Sequence, residues 1–231
     1  VSLAGEFRRR ALHEARRYGG DAWVFVRELL QNSRDAGASL VDLAIRRENG
    51  IDRFVCRDDG CGMDFDHARQ FLFTLYASSK TGQSDTAGRF GIGFWSVLRF
   101  EPEWIVVRSA PEGGEGWRLS MSGDLATIEL EGLAVSRGTE IELTRPSVGD
   151  NPEAAVWGAV QRDARHLRRR DGGGEILEVR VNSRLATAEI SLDPPSCLFA
   201  RPGFRGAVSL TDRPRVDLLA HGLRVRTTAT L

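Results

Sequence analysis

Apolar residues return at helical spacing through AWVFVRELLQNSRDAG (22–37), with Asp21 placed to cap a helix and Gly37 placed to stop it. The period then shortens to two. LVDLAIRR (40–47) and RFVCR (53–57) alternate as strands, and DDGCGM (58–63) turns the chain after the second. Residues 64–77 and 92–100 read as helices, separated by a polar segment, 78–90, of turn composition. EWIVVRSA (103–110), GWRLSMSG (116–123), LATIEL (125–130) and GTEIELT (138–144) read as four short strands between glycine-rich turns, the pattern of an antiparallel meander. A helix over 152–170 and a strand within EILEVRVNSR (175–184) complete the series. Helices mingled with hairpin-linked strands predict an α+β fold: a two-layer α/β sandwich with a mixed, mostly antiparallel sheet and helices on one face.

The DPPS segment after Leu192 marks a boundary. It divides the chain into a first domain, 1–190, and a region, 191–231, that reads as a linker and the opening strands of a second domain. Val1 in place of methionine suggests a chain trimmed from a longer one. No apolar run approaches the roughly 20 residues of a membrane helix. Together with the charged first residues, this predicts a cytoplasmic protein with no membrane partner. Basic and acidic residues balance at 32 each, so nothing global draws the chain to nucleic acid. The RRR runs at 8–10 and 168–170 read as solvated helix faces. Three cysteines without a CxxC pair fit a reducing compartment and no zinc site, with Cys56 on a strand and Cys61 in a loop.

Three motifs bear on chemistry. Glu28, Asn32 and Asp35 stand at i, i+4 and i+7 and so share one helix face beside apolar neighbours. Asp58 to Gly62 spells DxGxG, which by itself is an Asp-Gly turn; its third position is Gly60, which excludes an EF-hand. Gly88, Gly91 and Gly93 spell GxxGxG, an order that is neither the dinucleotide fingerprint nor a phosphate-binding P-loop. Glycines ahead of a helix let backbone approach an anion. Just upstream lies Lys80, the single lysine among the 32 basic residues. Either codon bias left it there by chance, or a compact ammonium on a flexible stem is wanted at that position.

ExxxNxxDA on a helix, then DxGxG, then GxxGxG, then Gly138-Thr139 before a strand resembles, in that order, the GHKL ATPase superfamily, named for gyrase B, the ninety-kilodalton heat-shock chaperones, histidine kinases and MutL. The resemblance covers residues 20 to 185 and implies ATP binding in a Bergerat-type fold under a mobile lid. Carried over, Asn32 holds Mg²⁺ and Asp58 accepts a hydrogen bond from the adenine amino group. Gly60 and Gly62 let the base lie on the backbone, and Thr139 supports Asp58 and the adenine. Gly91 and Gly93 offer N–H groups to phosphate, and Lys80 sits in the lid. Asp35, Ala36, Met63, Gly88, Phe90, Ile92 and Phe94 lie in the same motifs and complete the implied ATP site.

Glu28 implies a general base for hydrolysis, since most histidine kinases lack a carboxylate there. GRFGIGFWS (88–96) looks most like the heat-shock chaperone motif, whereas RDDGCGM (57–63) resembles MutL and YASSKTG (76–82) resembles MutL and MORC ATPases. The expectation is a chaperone-like ATPase that binds ATP and ADP, drives conformational change by lid closure and pairs with a second copy in the full-length protein, its client unnamed. The alternatives are a MutL-like or MORC-like DNA-associated ATPase and an ATP-gated interaction module with little turnover. Full hydrolases of the superfamily borrow a basic residue from a following domain. None of Arg205, Arg213, Arg215, Arg224 and Arg226 can be assigned that role, so slow turnover is expected of this chain.

Overall fold

The computed structural model describes residues 9–13, 15–16, 20–73, 93–149, 151–171, 174–193, 196–201, 204–210 and 215–228. The helix expected after Asp21 is α1, Phe25–Asp35. It begins later than expected because the Asp21 carboxylate accepts from the Trp23 N–H at 2.8 Å and stabilises a turn ahead of the helix. Strands β1 (Leu40–Glu48) and β2 (Ile51–Asp58) follow, then helix α2 (Phe65–Phe73). The helix expected within 92–100 is the 3₁₀ helix Phe94–Phe100. Its seven residues are buried on almost every side, and Ser96 fastens its first turn by donating from both N and Oγ to the Gly93 carbonyl. A short segment packed all round accepts the tighter turn.

Strands β3 (Trp104–Ala110), β4 (Trp117–Ser122) and β5 (Ile128–Gly132) run as an antiparallel meander, but β6 (Gly138–Pro146) departs from the expected four-strand meander by returning to pair with β3 and β2 instead of β5. Helix α3 (Pro152–Asp163) starts at a capping Asn151, whose Oδ1 accepts from the Glu153 N–H at 2.9 Å, with proline in the first turn. It stops seven residues short of the sequence expectation. The RRR run at 168–170 is therefore not a helix face. Arg168 pairs with Glu189, Arg169 with Glu175, and Arg170 donates to the Asp35 carbonyl at the end of α1. Strands β7 (Glu178–Val181) and β8 (Arg184–Leu185) close the sheet.

The sheet order is β5-β4-β3-β6-β2-β1-β7-β8, antiparallel throughout except for the parallel β1–β7 pair. This is the mixed, mostly antiparallel sheet expected. Alternation gives it two unlike faces. Asp52, Phe54, Cys56 and Asp58 of β2 are buried, while Arg53 and Arg57 stand on the opposite face and pair with Glu142 and Glu140 of β6. On the covered face Phe25 of α1 meets Phe54 edge-on at 5.0 Å and Phe100 at 5.7 Å, which binds both helical segments to the sheet centre.

Beyond residue 193 the strands β9 (Ser196–Arg201) and β10 (Phe204–Ser209) pair with each other, as do β11 (Val216–Ala220) and β12 (Leu223–Thr228). The second hairpin rests on the body formed by the eight-stranded sheet and its helices. Leu223 joins its core, Arg224 pairs with Asp163 at 2.7 Å, and the Arg168 N–H donates to the His221 carbonyl at 2.9 Å.

Candidate nucleotide site

At one end of the sheet a single row of paired positions runs Val41, Asp58, Thr139, Ser109, Trp117 across five strands. Val41 and Trp117 are apolar ends, and between them stand a carboxylate and two hydroxyls on the helix-covered side. Asp58 is buried, and both of its oxygens are engaged: Oδ1 accepts from the Gly60 N–H at 3.0 Å and Oδ2 from Ser33 Oγ at 2.9 Å. Burial raises its pKa, while hydrogen bonds from Gly60, Ser33 and the Thr139 backbone pull the other way without cancelling it. A carboxylate has about four lone-pair sites, so Asp58 keeps capacity for another donor.

Ser33 lies on the buried face of α1, and its bond to Asp58 ties that helix to the row. On the same helix Glu28, Asn32 and Asp35 are half-buried. Gly93 leaves room for Glu28, since a Cβ there would stand 2.5 Å from Glu28 Oε2. Burial raises the Glu28 pKa, opposed in part by the charge of Arg27. Among the described residues the Asn32 side chain has no hydrogen-bond partner. Asp35 is turned to other work: its Oδ1 accepts from Arg34 at 2.7 Å and its carbonyl from Arg170 at 2.7 Å. The Ala36 carbonyl accepts from the Cys61 N–H and so fixes the DxGxG turn against the end of α1.

Gly62 has a packing cause of its own. Its φ is +62°, and a Cβ would fall 1.9 Å from the Ala110 carbonyl oxygen. Met63 is held by its backbone, donating to Ser109 Oγ at 3.1 Å and accepting from Trp117 Nε1 at 2.8 Å. Phe94 is buried in the 3₁₀ helix against Trp95. Lys80, Gly88, Phe90, Gly91 and Ile92 lie outside the described residues. Three contributors went unseen in the sequence: Ser33, Ser109, and Arg137, whose Nε donates to the Gly60 carbonyl at 3.0 Å. Ser33 sits inside the helix motif and could have been flagged. The other two depend on strand register and loop approach.

Among the described residues no group of three or more His, Cys, Asp and Glu is placed to hold a metal by itself. The oxygen of the Asn32 amide, on the face that carries Glu28, suits a hard cation that takes its remaining ligands from phosphate and water.

Residues 21–128 match the family described as "Histidine kinase-, DNA gyrase B-, and HSP90-like ATPase". The chain is 28% identical over 153 residues to the chaperone protein HtpG of Ehrlichia ruminantium (strain Gardel), covering 52% of this chain and 24% of that protein. It is 32% identical over 151 residues to HtpG of Chlorobium phaeovibrioides, with 52% and 24% covered. It is 30% identical over 223 residues to the DNA mismatch repair protein MutL of Anaeromyxobacter sp. (strain K), with 86% and 34% covered. The chain thus spans only about a quarter to a third of the length of these relatives. No helix among the described residues is long and apolar enough to cross a membrane. Through residues 21–128, and with the α+β sheet built around them, the chain matches the GHKL ATPase superfamily.

Proposed function

We propose that this chain binds ATP with Mg²⁺ beside α1 and hydrolyses it, with Glu28 as general base. The observation that carries the reading is that one helix serves two chemistries. Ser33 of α1 holds the buried carboxylate of Asp58, while Glu28, on the same helix, lies half-buried against Gly93. Asp58 accepts from the exocyclic amino group of adenine, a donor that guanine lacks at that position. Thr139 stands beside it in the row, and the turn from Gly60 to Met63 receives the base.

Asn32 holds Mg²⁺, which supplies neutralisation of phosphate charge when bound. Glu28 takes a proton from water as the water oxygen attacks the γ-phosphorus in line, and the bond from that phosphorus to the bridging oxygen breaks to leave ADP. A carboxylate whose pKa burial has raised is a stronger base than an exposed one. Gly91 and Gly93 offering N–H groups to phosphate, Lys80 as a lid contact, and the part of Gly88, Phe90 and Ile92 in that segment are proposed from the sequence motif.

Lid closure coupled to pairing of two copies is the chaperone-like reading, supported by the HtpG relatives. A second reading, an ATPase that acts with DNA, is favoured by one observation: the MutL relative aligns over 86% of this chain, including residues beyond the first domain.

Calorimetric titration of ATP with Mg²⁺, followed by phosphate release with Glu28→Gln, tests the proposal. Binding by wild type with turnover that the variant loses supports it. Binding with no turnover in either protein leaves an ATP-gated clamp. Absence of binding overturns it.

A further inference from the structure

The hydroxyls of Ser109 and Thr139 form a hydrogen-bond chain whose direction can be worked out. Ser109 is buried, and its Oγ has three neighbours. The Met63 N–H lies at 3.1 Å and can only donate. The Gly138 carbonyl oxygen lies at 2.9 Å and can only accept. Thr139 Oγ1 lies at 3.0 Å and can do either. A hydroxyl has one proton and two lone pairs.

If the Ser109 proton pointed to Thr139, the Ser109 and Gly138 oxygens would face each other at 2.9 Å with no proton between them. The proton therefore belongs to the Gly138 carbonyl. One Ser109 lone pair takes the Met63 N–H, and the other is left for the Thr139 hydroxyl. This assignment uses every donor and acceptor of Ser109 once.

We infer that Ser109 is a specificity-determining positioning residue: by taking the Thr139 proton it turns Thr139 into an acceptor, so that Asp58 and Thr139 together select a purine with a donor at its 6-position. The inference rests on the proposed nucleotide reading and deepens it. Asp58 is an acceptor by its charge, and Thr139 becomes one through its neighbour. The two stand at paired positions of β2 and β6, so the row offers adjacent lone pairs and no hydroxyl proton. A 6-amino group satisfies this arrangement, whereas a 6-keto group sets oxygen against oxygen. Sequence alone makes Thr139 ambivalent, since a threonine hydroxyl turns freely until a partner fixes it.

The test compares binding of ATP and of inosine triphosphate, which carries oxygen in place of the amino group, with Mg²⁺ present. Wild type is expected to prefer ATP. In Ser109→Ala the Thr139 proton is released and can turn to the 6-keto oxygen. Inosine triphosphate should then bind about five-fold more tightly than it does to wild type, the value of one neutral hydrogen bond. Ser109→Thr keeps the hydroxyl and should keep the wild-type preference. A variant that merely disturbs the fold weakens both ligands and cannot strengthen one.

Thr139→Val supplies an independent arm should Ser109→Ala fail to fold. Removing the acceptor should weaken ATP and relieve the repulsion on inosine triphosphate, narrowing the preference. If wild type prefers ATP and neither Ser109→Ala nor Thr139→Val changes the ratio, the polarity assignment is wrong while the nucleotide reading stands. If wild type binds neither nucleotide, both are overturned.

Discussion

The carboxylate of Glu28 lies against the α-carbon of Gly93, so close that a Cβ at position 93 would stand 2.5 Å from Oε2. A residue in the first turn of α1 and the glycine that opens the 3₁₀ helix thus share one small volume. The atom that must yield to a larger residue is the end of a flexible side chain, so Gly93→Ala should fold and move the carboxylate. We predict that this variant unfolds within about 1 kcal/mol of wild type, the range of a tolerated substitution. Its ATP turnover should fall by at least about ten-fold, because a displaced base loses part of a contribution worth about 10²–10⁴. Denaturant unfolding and phosphate release measured on one preparation check both halves.

Glu28 itself should show two pH signatures of opposite benefit. Burial holds its pKa above the ordinary glutamate range, so the base is lost to protonation earlier as pH falls. The acid limb of kcat/KM should lie above the usual carboxylate value, and Glu28→Gln should remove the chemistry that reports it. For stability the sign reverses. An acid whose folded pKa is raised disfavours folding once it is ionised, so Glu28→Gln should be more stable than wild type at pH 7. The difference should close as pH falls through the raised value toward the ordinary one. An equal or lower stability of the variant at pH 7 would contradict this.

Asp58→Asn replaces a charged acceptor by a neutral amide. A hydrogen bond to a charged group contributes about 1.5–3 kcal/mol, so ATP affinity should fall by about ten-fold to a hundred-fold. The fold should tolerate the change, because burial already works against the Asp58 charge. Calorimetry on a variant that unfolds like wild type separates a lost contact from a lost structure.

Much of this was legible in the sequence, and the parts that were not have a common cause. Period-two alternation placed β1, β2 and the strands that follow, though not the return of β6 to β3 in place of β5, and the polar stripe on α1 placed Glu28 and Asn32 on one face, because alternation and stripe lie within one element whereas strand pairing does not. The helix over 92–100 was legible but its 3₁₀ type was not, because apolar residues run through it on all sides, and periodicity cannot distinguish two kinds of helix that are both buried. The end of α3 was missed because Arg168, Arg169 and Arg170 look like a solvated helix face until their partners Glu189, Glu175 and the Asp35 carbonyl are known. Ser109 was invisible for the same reason. Its role depends on standing opposite Thr139, and register between strands about 30 residues apart is set by the whole sheet.

At the far end of β2 from Asp58 another carboxylate occupies the same face, and it has the opposite character. Asp52 is fully buried and stands opposite Arg47 of β1 and Arg145 of β6. Arg47 donates to it twice, at 2.6 and 3.1 Å, Ser147 donates at 2.9 Å, and Arg145 lies 3.5 Å away with its guanidinium 4.0 Å from the centre of the Phe100 ring. Burial alone would raise the Asp52 pKa; the hydrogen bonds from Arg47 and Ser147 and the two positive charges outweigh it and lower it. Asp52→Asn removes the charge and leaves Arg145 without its ion partner, a change that costs about 3–5 kcal/mol in buried pairs. Because the folded pKa is depressed, the Asp52 contribution is fully present above the ordinary aspartate value and is lost as pH falls through the lowered one. Urea unfolding should therefore show a gap between wild type and Asp52→Asn that is constant from about pH 5 to 8 and narrows below about pH 4. A gap that stays constant into strong acid would mean that packing of Arg145 on Phe100, not the Asp52 charge, holds this end of the sheet together.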